Sequence, residues 1–232
     1  MRIADYVPSS LVDFPGHVSA VAFSPGCTLR CPFCHNAGLA LLEKNAPQAD
    51  RLADFLNFLE HRRGLLSGVV ISGGEVCLQE DIGKFLRRIR EMGFRTKVDT
   101  NGTRPEVLAA LLKENLIDIA AMDIKAPRDI YATLCGIPET SLPWADIEES
   151  IRLIAGADKE RNGGYRHMFR TTVMEPHFDE EAVLRMRKLV PNGTLWRLQP
   201  YEGRHGTLDT TFTALPPAQE KLEYWQKLID ER

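Results

Sequence analysis

Apolar residues recur along this chain in two alternating rhythms. Residues 19–23, reading S-A-V-A-F, form a short apolar run suited to a strand, and 68–72 form another, ending at Gly73 and Gly74. Between them, Leu52, Phe55, Leu56 and Leu59 fall three and four apart, one face of a helix over 49–61. Ile82, Phe85, Leu86 and Ile89 make the stripe of a second helix over 81–92. A strand over 94–99, a helix over 105–114 opened by a proline, and a strand over 117–123 follow. Downstream, the pattern predicts helices over 147–155, 180–189 and 217–229, with strands over 167–173 and 195–199.

About six strand–helix units in this order predict a parallel, curved α/β layer. With no strong linker, the expectation is a single domain over 1–232, entered by segment 1–18 and closed by a C-terminal helix, 217–231. The loosest stretch is 126–143, where Pro127, Gly136, Pro138 and Pro143 interrupt the periodicity. Residues 156–164 read as an exposed, charged turn. Either stretch suits a partner-facing loop or an ordinary surface loop.

Composition narrows the classes. A 26.1 kDa chain with 44% hydrophobic and 26% charged residues is an ordinary soluble mixture with one sizeable core. A formal net charge of -3 argues against a nucleic-acid surface, and the apolar runs are too short for a membrane span. Nothing reads as a targeting segment, repeat or low-complexity tract, so the expected location is cytoplasmic. No G-x-x-x-x-G-K-[ST] phosphate loop occurs. Five cysteines, an odd number without an apolar secretory segment, fit a disulfide framework badly.

Three of those cysteines, Cys27, Cys31 and Cys34, stand in S-P-G-C-T-L-R-C-P-F-C-H-N. Three thiolates on a four-iron cluster leave one iron open to another ligand, which suits chemistry rather than scaffolding. Zinc held by three cysteines and His35 is the alternative, although His35 directly follows Cys34 and would have to fold back sharply. Cys77 and Cys135 alone cannot build a second four-cysteine cluster, so one cluster is expected.

The spacing C-x3-C-x2-C resembles the hallmark of the radical S-adenosylmethionine enzymes. The chain is most similar to their glycyl-radical-enzyme activating proteins, the group of the pyruvate formate-lyase and anaerobic ribonucleotide reductase activating enzymes. The resemblance is carried by S-L-V-D-F-P-G at 10–16, C-T-L-R-C-P-F-C-H-N at 27–36, S-G-G-E at 72–75, D-T-N-G at 99–102 and M-D-I-K at 122–125. F-R-T-T-V at 169–173 resembles the ribonucleotide reductase activating branch.

This resemblance implies an open partial TIM-type barrel of six strand–helix units. It implies one [4Fe-4S] cluster on Cys27, Cys31 and Cys34, with S-adenosylmethionine chelating the fourth iron. One electron from the cluster then cleaves the cofactor to methionine and a 5'-deoxyadenosyl radical, which takes hydrogen from a glycine of a partner enzyme. Gly73, Gly74 and Glu75 are implied along the methionine amino group, and Asp99 and Asp123 around its end, sometimes with a monovalent cation. Lys125 is expected to pair with Asp123 or touch the cofactor, with Arg170 reaching the same face. Phe33 shields the cluster or packs near adenine, and Asn36 caps the loop or bonds adenosine; ordinary packing and a helix cap explain them as well. The implied partners are a glycyl radical enzyme, with anaerobic ribonucleotide reductase leading, and reduced flavodoxin or ferredoxin.

The chain departs from the family pattern in two places. Val76 stands where the proline after Glu75 is usual, which is expected to loosen that loop modestly, and Cys77 next to it reads as a small buried thiol. L-Q-P-Y-E at 198–202 holds no histidine where the pyruvate formate-lyase activating enzyme has one, leaving Gln199 or Glu202 for a polar contact. Asp13, Pro15 and Gly16 form either an entry turn or a border of the partner opening. The other readings are a radical S-adenosylmethionine enzyme acting on a small molecule or peptide, and a zinc-stabilised structural or interaction protein.

Overall fold

The computed structural model describes residues 1–41, 50–159, 166–203 and 206–231. Seven strands form one sheet in the order of the sequence: β1 (Asp5–Ser10), β2 (Ser19–Ser24), β3 (Gly68–Gly73), β4 (Arg95–Thr100), β5 (Ile119–Asp123), β6 (Met168–Val173) and β7 (Leu195–Pro200). The order ends on β1 and β7, so the sheet is not closed. β2, β3 and β4 pair in parallel, as do β6 and β7, while β1 runs antiparallel to β2. Parallel neighbours need a crossover, and helices supply it: α2 (Leu52–Glu60) after β2, α3 (Ile82–Glu91) after β3 and α4 (Pro105–Lys113) after β4. α1 (Ala37–Ala40) is a single turn after the cysteine loop. Later helices are α5 (Tyr131–Leu134), α6 (Trp144–Lys159), α7 (Glu180–Arg187) and α8 (Gln219–Asp230).

The expected fold class therefore holds, with one addition. The sequence D-Y-V-P-S-S carries no apolar run, and Pro8 reads as a breaker. β1 forms because its backbone pairs with β2, and the register slips between Val7 and Ser10 around that proline. α6 is longer than the expected 147–155. Pro143, taken as an interruption, precedes the first turn, where a missing N–H costs nothing. It also runs through 156–159, where a turn was expected; the rest of that turn, 160–164, and Ala49 of the expected first helix lie outside the described residues. The stretch 126–143 holds α5 between two short 3-10 turns.

By contacts the chain divides into two compact units. The first comprises Met1–Thr28, Gly38–Thr100 and Arg104–Ala121. Its core is Phe55, Leu59, Val69, Val70, Ile71, Leu86 and Ile89, all wholly buried. Runs such as Val69–Ile71 are apolar throughout because a parallel strand is covered on both faces. Asp118 is the polar knot of this unit: its Oδ2 accepts from the Thr96 backbone N–H at 2.8 Å and Arg90 at 2.7 Å, its Oδ1 from Arg95 at 3.0 Å.

The second unit comprises Leu29–Ala37, Asn101–Thr103 and Met122–Arg232. Phe169, Val173, Met186, Trp196 and Ile229 are wholly buried, and the Trp196 indole N–H donates to the Thr171 hydroxyl at 3.1 Å. Gln226 of α8 binds β7 like a neighbouring strand. Its amide donates to the Trp196 carbonyl and accepts from the Leu198 N–H, each at 2.9 Å.

Candidate active site

The three cysteines lie on the loop between β2 and α1, all as free thiols. Cys31 is buried, and Cys27 and Cys34 are partly exposed. A turn closes the loop, with the Cys34 N–H donating to the Cys31 carbonyl at 3.0 Å. Burial pushes the Cys34 thiol up, and the backbone N–H of Asn36, directed at its sulfur, offsets part of that. Asn36 thus supports the Cys34 sulfur as well as preceding α1. Cys31 is held below its ordinary value, first by a hydrogen bond from the Cys135 thiol, against the opposing effect of burial. Free thiols on one loop, with N–H and S–H donors aimed at two of the sulfurs, fit a group that takes three thiolates. Among the described residues no three His, Cys, Asp or Glu side chains gather to hold one metal ion. His35 is exposed and meets Tyr201 edge-on with ring centroids 5.6 Å apart.

Phe33 is 5% exposed and faces Phe212 at 6.0 Å between centroids. The segment bearing Phe212 is pinned to the loop through the Asp209 N–H, which donates to the Pro32 carbonyl at 3.0 Å.

The S-G-G-E stretch ends β3 and is sewn to the start of the cysteine loop. The Gly74 N–H donates to the Ser24 carbonyl at 2.9 Å and the Glu75 N–H to the Gly26 carbonyl at 2.7 Å. A Cβ on Gly74 would sit 1.8 Å from the Gly26 oxygen, so this glycine is required by backbone-to-backbone approach. Glu75 is wholly buried, and its Oε1 accepts from the Cys77 N–H at 3.0 Å and the Thr100 hydroxyl at 2.8 Å. Two donors on one oxygen fix the carboxylate plane. Thr100 was not singled out in the sequence, although its place inside D-T-N-G was a signal. Burial first, then the Glu75 charge, pushes the Cys77 thiol well up, so it stays protonated and inert. Before Val76, Glu75 keeps extended backbone (φ -117°, ψ 113°), near the geometry a following proline would impose.

Asp99, next to last in β4, pairs with the buried ammonium of Lys97 on the same strand face. The sequence reading had not flagged Lys97, since a lysine in a strand usually faces water. In the second unit, Asp123 ends β5 and is clamped from two sides. The Lys125 ammonium bonds its Oδ2 at 2.8 Å and the Arg170 guanidinium its Oδ1 at 3.0 Å. Burial opposes its charge, but Arg170 and Lys125 outweigh that and hold the carboxyl down to about 2. The expected Lys125–Asp123 pair is therefore present, with Arg170 joining it from β6. Gln199, on β7, and Glu202 are exposed. Ser10 and Asp13 bond each other at 2.5 Å in the entry turn.

Compared with known families, residues 21–190 match the one described as the Radical SAM superfamily. A protein of Methanocaldococcus jannaschii, named as a candidate glycyl-radical enzyme activating enzyme, is 33% identical over 219 residues, covering 94% of this chain and 87% of its own. The pyruvate formate-lyase-activating enzyme of Listeria monocytogenes is 32% identical over 211 residues, covering 86% and 81%. Among solved structures, TYW1 with a lysine-pyruvate adduct bound aligns with a TM-score of 0.65 at 15% identity, covering 92% of this chain and 73% of that one. At that identity the likeness speaks for the fold alone.

Proposed function

Since this chain belongs to the radical S-adenosylmethionine superfamily, whose members use a [4Fe-4S] cluster and S-adenosylmethionine, we propose that it is a glycyl radical enzyme activase. The observation that carries this reading is the likeness to the M. jannaschii protein over 94% of the chain, with that to the L. monocytogenes enzyme in support. When bound, the cluster would supply the electron for reductive cleavage of S-adenosylmethionine, the chemistry needed to remove hydrogen from a partner's glycine.

The chain's own residues bind and orient. Cys27, Cys31 and Cys34 hold the cluster. The fixed, buried carboxylate of Glu75 receives the ammonium of the cofactor's methionine end, a charge-assisted bond. Lys125 and Arg170, already neutralised in part by Asp123, present cationic edges suited to its carboxylate. Asp99 contributes beside Lys97, and Phe33 excludes water from the loop. The leading partner is an anaerobic ribonucleotide reductase, on the strength of F-R-T-T-V, with reduced flavodoxin or ferredoxin as electron donor and the cytoplasm as location. Among the described residues no helix is long and apolar enough to cross a membrane.

The test is made on anaerobically reconstituted protein. Reduced protein given S-adenosylmethionine is assayed for 5'-deoxyadenosine, and then for an organic radical on added reductase by electron paramagnetic resonance. Radical on the reductase supports the proposal. Cofactor cleavage without radical on any glycyl radical enzyme would move the reading to a small-molecule or peptide substrate.

A further inference from the structure

The fifth cysteine, Cys135, belongs to none of the stretches that carry the family likeness, yet it touches the cluster loop. It is wholly buried at the end of α5, and its thiol is hydrogen-bonded to Cys31. Backbone contacts on both sides hold the two segments that bear these cysteines together. The Arg30 N–H donates to the Cys135 carbonyl at 2.9 Å. Gly136 sits at φ +65°, and a Cβ there would lie 2.1 Å from the Arg30 oxygen, so no other residue lets the chains approach this closely. α5 is anchored in turn, since the Tyr131 hydroxyl accepts from the Lys125 N–H at 3.3 Å and the Cys135 N–H donates to the Tyr131 carbonyl at 2.9 Å.

A cysteine that ligates iron has no proton on sulfur, so the hydrogen shared by this pair belongs to Cys135. Donors to ligand sulfurs favour the more electron-rich state of a cluster, and such bonds are among the levers that set its potential. We propose that Cys135 is a positioning residue whose S–H donates to the Cys31 sulfur, orienting that ligand and raising the reduction potential of the cluster. The inference rests on the cluster assignment and not on the identity of the partner.

The experiment is a dithionite redox titration of the reconstituted full chain, followed by the electron paramagnetic resonance signal of the reduced cluster, with iron and sulfide measured in parallel. Cys135→Val and Cys135→Ala remove the donor; Cys135→Ser retains one. The donor-free variants should keep their iron and lose about tenfold in the reduced-to-oxidised ratio at fixed potential, equivalent to about 59 mV for one electron. Cys135→Ser should stay on the wild-type side of that shift. If Val disturbs the loop, Ala decides. An unchanged potential in Ala, or an equal shift in Ser, would overturn the inference and leave Cys135 as packing. Loss of iron in all three would overturn it in favour of a ligand role. A shifted potential without partner activation would sustain this inference and sink the activase reading alone.

Discussion

Glu75 and Thr100 are joined at 2.8 Å by a buried hydrogen bond, hydroxyl to carboxylate, linking the turn after β3 to the end of β4. Thr100→Val keeps the shape and deletes the donor. The carboxylate then keeps the Cys77 N–H and can swing about it. A lost bond to a charged group costs about 1.5 kcal/mol, so affinity for S-adenosylmethionine should fall about tenfold with iron content unchanged. Calorimetric titration of reconstituted protein measures it; equal affinities would remove Thr100 from the site.

Gly74→Ala places a methyl group against the Gly26 carbonyl, a fixed backbone atom rather than a side chain that can turn away. We expect a loss of about 3 kcal/mol in chemical unfolding of the apo-protein and a fall in iron uptake. A variant that unfolds like wild type would show that the two backbones part easily.

Val76→Pro restores the residue usual in the family. Glu75 already holds extended backbone, so the ring should enter without strain and alter stability by no more than about 1 kcal/mol in either direction. A larger loss in thermal unfolding would mean that the Val76 N–H or side chain does more than fill space.

Asp123 yields a pH signature. Its folded carboxyl, at about 2, lies below the ordinary 3.8, so its contribution is full above pH 4 and disappears as pH falls through 2. The difference corresponds to about 2 kcal/mol. The stability gap between wild-type and Asp123→Asn apo-protein should therefore be constant from pH 7 to 5 and shrink below pH 4. A gap that persists undiminished at pH 2.5 would place its origin in packing rather than charge.

Much of this was legible in the sequence, and what escaped did so for physical reasons. Strands such as β3 and β5 announce themselves because both faces are covered and their side chains, up to the closing Asp123 of β5, are apolar or small. β1 escaped because its stability lies in pairing with β2, which composition does not display. α5 was hidden among Pro127, Gly136 and Pro138, being too short for periodicity to register. The cysteine motif marked its loop through local spacing, but the contact of Cys31 with Cys135 joins residues 104 apart, beyond any local pattern. Asp123 was marked by its motif and Arg170 was expected on the same face through F-R-T-T-V; the ion pair that joins them is what the structure adds.

The ends of the sheet bear on how a protein partner could reach this molecule. On β1, Pro8 removes an N–H where the register slips, and Asp5 adds charge; on β7, the Gln226 amide already occupies the Trp196 carbonyl and the Leu198 N–H. Neither border offers the unbroken row of donors and acceptors that strand addition requires. Edge-to-edge polymerisation is disfavoured for the same reason. An extended segment of another protein would have to be recognised through its side chains and by loops rather than by strand addition.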